Sequence, residues 1–287
     1  MLFSQHFVIL RGGGDLATGV AYRLHQAGFP LIVLELPQPL VVRRKVALAT
    51  AVRENHVHIE TLHAQRMETV AEALALAYAG QIPVLVAPEL AVIGHRLSVI
   101  GKQPTTDYRS PTTDHRIPIL IDARMAKRNI DTRPDQADLV IALGPGFTAG
   151  VDCHAVIETM RGHTLGRVIW EGAAIPNTGT PGIIGGKGAE RVLRAPAAGT
   201  VDWKLDIGDL VQAGDLIGDV AGEPITAPFA GVLRGLIAPG TAVSAGLKIG
   251  DLDARADVDA CFTISEKALA IGGGVLEAIL THLNRQS

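Results

Sequence analysis

Residues 195–220 and 227–252 are two copies of one pattern, displaced by 32 positions. Ala195-Pro196-x-Ala198-Gly199 recurs as Ala227-Pro228-x-Ala230-Gly231. Gly208, Val211, Ala213, Gly214, Ile217, Gly218 and Asp219 recur as Gly240, Val243, Ala245, Gly246, Ile249, Gly250 and Asp251, so 11 of 26 positions are identical. A unit this short cannot bury its apolar face alone, and two copies must pack on each other. Each copy reads as short strands between glycine turns, and the pair predicts a small β-sandwich.

The remainder follows a different pattern. The chain has 287 residues, which at ~150 per domain suggests about two domains. The hydrophobic fraction of 47% against 19% charged excludes disorder. Aromatic residues are few, so Val, Ile, Leu and Ala must build the core. The 26 basic and 29 acidic residues form no basic tract, which argues against nucleic acid as a partner. The apolar stretch from Ala73 to Pro88 is too short and too interrupted for a membrane span. No signal-peptide pattern opens the chain. The two cysteines, Cys153 and Cys261, suggest no disulfide framework. These features read as a cytoplasmic protein.

Phe7-Val8-Ile9-Leu10 is an apolar strand running into the turn Arg11-Gly12-Gly13-Gly14-Asp15. Leu16, Ala17, Val20, Ala21, Leu24 and Ala27 then share one helix face, Gly28 stands at its C-cap, and Leu31–Leu34 is a second buried strand ending at Glu35. Gly12, Gly14 and Ala17 match the G-x-G-x-x-G/A spacing, in which backbone N–H groups at a helix start receive a pyrophosphate. Glu35 stands where an acid binds a ribose. The competing reading is a βαβ unit that binds no dinucleotide. Pro39 to Val52 is expected to be a helix, with Arg43 and Arg44 either holding phosphate or facing solvent. A helix over Met67–Ala79, strands over Ile82–Ala87, Ile117–Ile121 and Ala137–Leu143, and a loop over 94–116 complete a doubly wound pattern.

A second glycine turn, Gly144-Pro145-Gly146-Phe147, is expected to lead through Asp152, as N-cap, into a helix over Cys153–Met160. A thiol at a helix start is acidified, so Cys153 is a candidate nucleophile beside His154 or a carrier of sulfur or selenium. The alternative is a small buried residue. Gly166–Trp170 reads as a strand. Thr178 to Gly188 lacks phosphate-loop spacing and reads as a linker. His56, His58 and His63 read as a surface strand, not a metal site. Val275 to Leu283 is a terminal helix.

The repeat resembles the biotinyl/lipoyl carrier fold, the barrel-sandwich hybrid. Its joint, Asp219 to Thr226, has no lysine, so neither biotin nor lipoate is expected and the module is left to dock a partner or cover a cleft. The fold expected is therefore α/β: a Rossmann-like, mostly parallel sheet over 1–190, a barrel-sandwich-hybrid module over 191–253, and a C-terminal segment over 254–287 whose helix packs on the sheet domain. Arg11 to Gly19, Arg43-Arg44, Asp122 to Asn129, Gly144 to Phe147, Ala149 to His154, Ile157 to His163, Arg234 to Ile237, Lys248 to Asp251 and Gly272 to Ala278 together resemble the YqeB-type accessory proteins of the selenium-dependent molybdenum hydroxylase system. The glycine turn is distantly similar to that of XdhC-type proteins, which handle the molybdenum cofactor. The resemblance implies an accessory role in hydroxylase maturation. Molybdopterin or a nucleotide would sit at Gly12, Gly13, Gly14, Asp15, Glu35, Arg43, Arg44, Gly144 and Gly146. The partners would be the hydroxylase apoenzyme or other maturation proteins; a second copy of the chain is expected only because soluble proteins commonly form homo-oligomers. The alternatives are an NAD(P)-dependent oxidoreductase and a non-catalytic scaffold.

Overall fold

The computed structural model describes residues 1–87, 117–179 and 182–286. The loop expected over 94–116 lies outside the described residues.

A nine-stranded sheet organises the larger part of the chain. Its strands are β1 (Val8–Arg11), β2 (Leu31–Glu35), β3 (His56–Ile59), β4 (Leu62–Met67), β5 (Ile82–Val86), β6 (Ile117–Asp122), β7 (Ala137–Leu143), β9 (Ala155–Ile157) and β10 (Val168–Ile169), while β8 (Thr148–Ala149) pairs separately with β11 (Gly172–Ala173). The order across the sheet is β10-β9-β7-β6-β1-β2-β5-β4-β3. All pairings are parallel except the edge pairs β3–β4 and β9–β10. The central strands are continuous apolar runs because both faces are covered. On one face Val8, Leu10, Val33, Ile121 and Ile141 meet α1 (Asp15–Ala27) and α4 (Glu266–Gln286). On the other, Ile9, Ile32, Leu120 and Val140 share a core with α3 (Val70–Tyr78). Among the described residues no helix is long and apolar enough to cross a membrane.

Two expected helices are absent. Residues 39–52 form 3₁₀ turns at Arg44–Val46 and Leu48–Thr50, followed by the short α2 (Ala51–Glu54). Ala49 N–H donates to Gly13 C=O at 2.8 Å, so this segment spends a backbone bond on the glycine turn rather than on its own helix. Cys153 to Met160 contains β9, because the β-branched pair Val156-Ile157 fits the sheet edge beside β7.

The repeat forms two four-stranded antiparallel sheets. One holds β12 (Val192–Arg194), β19 (Lys248–Asp253), β17 (Gly231–Leu236) and β14 (Leu210–Val211); the other holds β16 (Glu223–Thr226), β15 (Leu216–Val220), β13 (Gly199–Trp203) and β18 (Ala242–Val243). The joint between copies is a tight hairpin, with Ala221 at φ 53° and Gly222 at φ 86°. The fold class read from the sequence is therefore corrected. The chain is a mixed α/β protein with a large, mostly parallel sheet and few helices among the described residues. The barrel-sandwich-hybrid assignment has no support. The Rossmann-like alternation fails because the chain spends residues 39–52 and 153–160 on turns and strands.

The helix α4 crosses α1 at backbone contact. A Cβ on Gly272 would collide with the Gly19 carbonyl, and one on Gly19 with the Ala268 carbonyl. Gly272→Ala is expected to destabilise the chain by about 1–3 kcal/mol through overpacking, read as a lower urea midpoint at unchanged m-value.

Candidate functional site

The strand order reverses between β1 and β6, which pair in register with Arg11 opposite Asp122. In open α/β sheets such a switch point leaves a crevice beyond the C-terminal strand ends. Here the crevice is a cleft of about 1340 Å³.

Its floor is an ion network. Arg11 is almost fully buried and donates through both terminal nitrogens to Asp131, at 2.9 and 2.8 Å. Asp122 is buried and accepts from Arg124, closest at 2.6 Å, and from the Thr132 hydroxyl at 2.6 Å. Arg124 also reaches Asp131 at 2.7 Å. The Arg11 hydrogen bond, reinforced by Arg124, holds the Asp131 carboxyl down at about 2. The sequence reading passed over this network. The available signal was a charged residue at the end of each of two buried strands.

The three glycines of the first turn have different tasks. Gly12, at φ +92°, packs on the backbone of Ala123 and Arg124, where a Cβ would come within 3.1 Å. Gly13 packs on Ala49, and its N–H donates to Glu35 Oε2 at 2.7 Å. Gly14 opens to the cleft: its nearest neighbour would be Val41 Cγ1 at 3.9 Å from a Cβ. Glu35 accepts from Leu36 N–H as well, at 2.8 Å, so both its oxygens serve the local backbone. Burial pushes its pKa up, against those two donors.

Arg43 and Arg44 diverge. Arg43 faces the cleft and pairs with Asp15 at 3.0 Å, and burial lowers its pKa. Arg44 points the other way and pairs with Asp206 of the repeat module, beside Lys45 at 3.5 Å. Gly144 and Gly146 do not line the cleft. Their positive φ values and missing side chains let the chain pass Thr159 and the backbone of Lys127 and Arg128.

Cys153 lies in the core beside Phe147, Ala149 and Val156, away from the cleft. There is no helix start to acidify it. Burial, and then Asp152, push its thiol up to about 12. Cys153 thus stands where the alternative reading put it, as a small buried residue. Asp152 accepts from Thr148 N–H at 2.7 Å and from Asn129 at 2.9 Å instead of capping a helix. His58 and His63 face each other across the β3–β4 hairpin.

The far wall of the cleft comes from the module, with Arg191, Arg194, Arg234, Lys248 and Asp251, and from Lys267 of α4. Ten lining residues are Arg or Lys against four Asp or Glu, in a chain of net charge −3. Aliphatic side chains at the mouth, among them Leu36, Leu40 and Ile130, are exposed. The arrangement suits an anionic ligand with an apolar part.

Comparison with known proteins adds the following. The chain is 46% identical over 276 residues to "Uncharacterized protein YqeB" of Escherichia coli (strain K12), a match that covers 96% of this chain and 48% of that protein. This likeness supports the YqeB-type family name. The chain spans about half the length of that curated relative. No family model matches. Among solved structures, a succinylglutamate desuccinylase/aspartoacylase from Rhodobacter sphaeroides is similar at TM-score 0.24 and 14% identity, covering 87% of this chain and 84% of that one. The ectoine utilization protein EutE (DoeB) from Ruegeria pomeroyi is similar at TM-score 0.23 and 10% identity, covering 86% and 84%. At such scores neither bears on the chemistry here.

Two outcomes follow from this geometry. Cys153 is expected to resist iodoacetamide in the folded protein at pH 8 and to be alkylated only after unfolding, as read by peptide mass spectrometry. Asp131 has a depressed folded pKa, so its contribution is present above the ordinary carboxylate value of 3.8 and is lost as pH falls toward 2. Asp131→Asn is expected to cost about 1 kcal/mol at pH 7, because solvent screens a half-exposed carboxylate, and to flatten the acid limb of the stability curve, measured by urea unfolding across pH 2–7.

Proposed function

We propose that this chain is an accessory protein of molybdenum-hydroxylase maturation that holds a phosphorylated pterin, or its nucleotide form, in the switch-point cleft. The observation that carries this reading is the cation excess of the cleft, set against the open backbone at Gly14. The cofactor is cargo. Its metal chemistry belongs to the hydroxylase that receives it, and this chain binds and orients it.

The residues fit such a ligand. Gly14 lets a phosphoryl group approach the start of α1, where free N–H groups and the macrodipole favour an anion. Arg43, braced by Asp15, stands beside it. Met125, Met160, Leu36 and Leu40 offer aliphatic surface to a flat ring. Sulfur or selenium delivery through Cys153 is not part of the proposal, since the thiol is buried in the core. A nicotinamide-dependent reaction stays the alternative: both oxygens of Glu35, the residue placed to bind a ribose, accept a backbone N–H, and each keeps one lone pair.

Gly14 has φ −67° and ψ 177°, a conformation any residue adopts, so Gly14→Leu is expected to fold and to fill the phosphoryl position. Native mass spectrometry of the full chain, purified from cells that make molybdenum cofactor, is expected to show a retained pterin or pterin-nucleotide mass that Gly14→Leu loses. A retained NAD or NADP mass would reassign the chain to the oxidoreductases. An empty wild-type protein that also fails to take up added pterin cofactor would leave the scaffold role.

A further inference from the structure

The glycine run Gly272-Gly273-Gly274 lies inside α4, where each glycine weakens a helix by about 1 kcal/mol relative to alanine. Close approach accounts for two of the three. A Cβ on Gly272 would meet the Gly19 carbonyl, and one on Gly274 the Gly166 carbonyl. Gly19, in the second turn of α1, packs in turn on Ala268, in the first turn of α4. The crossing therefore sets the starts of α1 and α4 side by side. Both open on the cleft, α1 through Asp15, Leu16 and Ala17, and α4 through Lys267.

The two helix starts differ. The Ser265 hydroxyl accepts from Ala268 N–H at 3.2 Å and caps α4. α1 has no side-chain cap at Gly14, so the amides of its first turn are left for water or a ligand. Lys267 stands where a cation opposes the helix dipole. Burial lowers its pKa and Arg161 adds to that, while Asp15, Glu158 and Glu266 act the other way. Each of these three carboxylates is engaged with another group. Asp15 pairs with Arg43 at 3.0 Å, Glu158 accepts from the N–H groups of Met160 and Ile175 at 2.7 and 2.8 Å, and Glu266 pairs with Arg161. Among the described residues the Lys267 ammonium has no hydrogen bond or ion pair of its own. The carboxylates favour its charge from a distance, and its three donors remain for an acceptor in the cleft.

An independent donor points to the same end. Arg234 is 5% exposed and lines the cleft, within electrostatic reach of Arg43 and of Glu266, the neighbour of Lys267. Its Nη1 donates to Asp253 at 2.8 Å, but its Nε is buried with no hydrogen-bond partner among the described residues. A buried donor in this state calls for an explanation that the chain's own acceptors do not supply.

We propose that Lys267 is a ligand-binding residue of the Gly14 turn, its ammonium holding one phosphoryl group together with Arg43 and the uncapped amides of α1. The inference rests on the reading of the cleft as a phosphate site. It adds the residue that completes that site and makes the site a joint product of the first glycine turn and the C-terminal helix. The glycine run of α4 then has a functional consequence, because the close crossing it permits carries Lys267 to Asp15.

The test is calorimetric titration of the full chain with inorganic phosphate at low ionic strength, from pH 8 to pH 10, where phosphate stays a dianion. Wild type is expected to bind one phosphate per chain. Its affinity is expected to fall as pH rises, because the lowered pKa of Lys267 brings loss of the ammonium below the ordinary value of 10.5. The other groups that face Lys267, namely Asp15 of α1, Glu158 and Arg161 after β9, and Glu266 of α4, keep their charge over this range. Lys267→Met is expected to bind about tenfold more weakly at pH 8, the loss of one charged hydrogen bond, and to show no fall with pH. Lys267→Arg is expected to restore binding, again without the fall. Lys267→Met breaks no ion pair, and an unchanged urea midpoint would separate lost binding from lost folding. A Lys267→Met affinity equal to wild type, or a wild-type affinity level from pH 8 to pH 10, would overturn the role of Lys267. In that case binding abolished by Gly14→Leu would leave the cleft as a phosphate site. No phosphate bound to wild type would remove both readings.

Discussion

A guanidinium buried at the end of a central strand must be answered by a carboxylate, and the architecture of the cleft follows from that demand. Arg11 ends β1, and parallel pairing sets it opposite Asp122 at the end of β6. The two do not pair with each other. Arg11 is met by Asp131, and Asp122 by Arg124 and Thr132. Each of these partners comes from the segment that follows β6, so Arg11 and Asp122 draw that segment across the strand ends. Gly12 exists to let it pass: any side chain there would press on Ala123 and Arg124. The floor is thus electrically balanced, with two guanidiniums set against two carboxylates.

The module is tied to the sheet domain by the same short segment that the sequence suggested as a phosphate clamp. The backbone of Arg43 bridges to Leu236, Arg44 and Lys45 pair with Asp206, and Arg53 donates to Thr241 at 2.9 Å. Gly235 has no side chain because Val42 and Arg43 occupy its place. One arginine of the adjacent pair therefore faces the ligand space and the other fastens the wall that encloses it. A ligand bound between the two walls would touch residues from positions 11 to 267 at once, and binding would report on the docking of the module.

Local features were legible where local forces decide them. The strand at 7–10, the helix after Gly14, its C-cap at Gly28 and the strand ending at Glu35 stand where period and turn chemistry put them. The reading failed where a segment's periodicity competed with a tertiary demand. Alanine-rich 44–52 scans as a helix, yet Ala49 and Leu48 bond to Gly13 and Thr18 of the neighbouring turn. Cys153 to Met160 scans as capped, yet Asp152 is held by Thr148 and Asn129, and Val156 and Ile157 complete the sheet.

The sequence by itself determined the repeat, the first βαβ unit and the composition of an aliphatic core. Those depend on contacts between near neighbours, or on self-similarity that any reader of the chain can see. Only the tertiary structure decided which of the glycines face open space, which cations are answered, and that Cys153 is buried. Gly14 is open while Gly13, Gly144 and Gly146 are filled by packing; Arg44 is spent on Asp206 and Arg234 on Asp253, while Arg43 is turned to the cleft beside Asp15. Burial and charge balance are sums over residues far apart in the chain, and no window of sequence contains them.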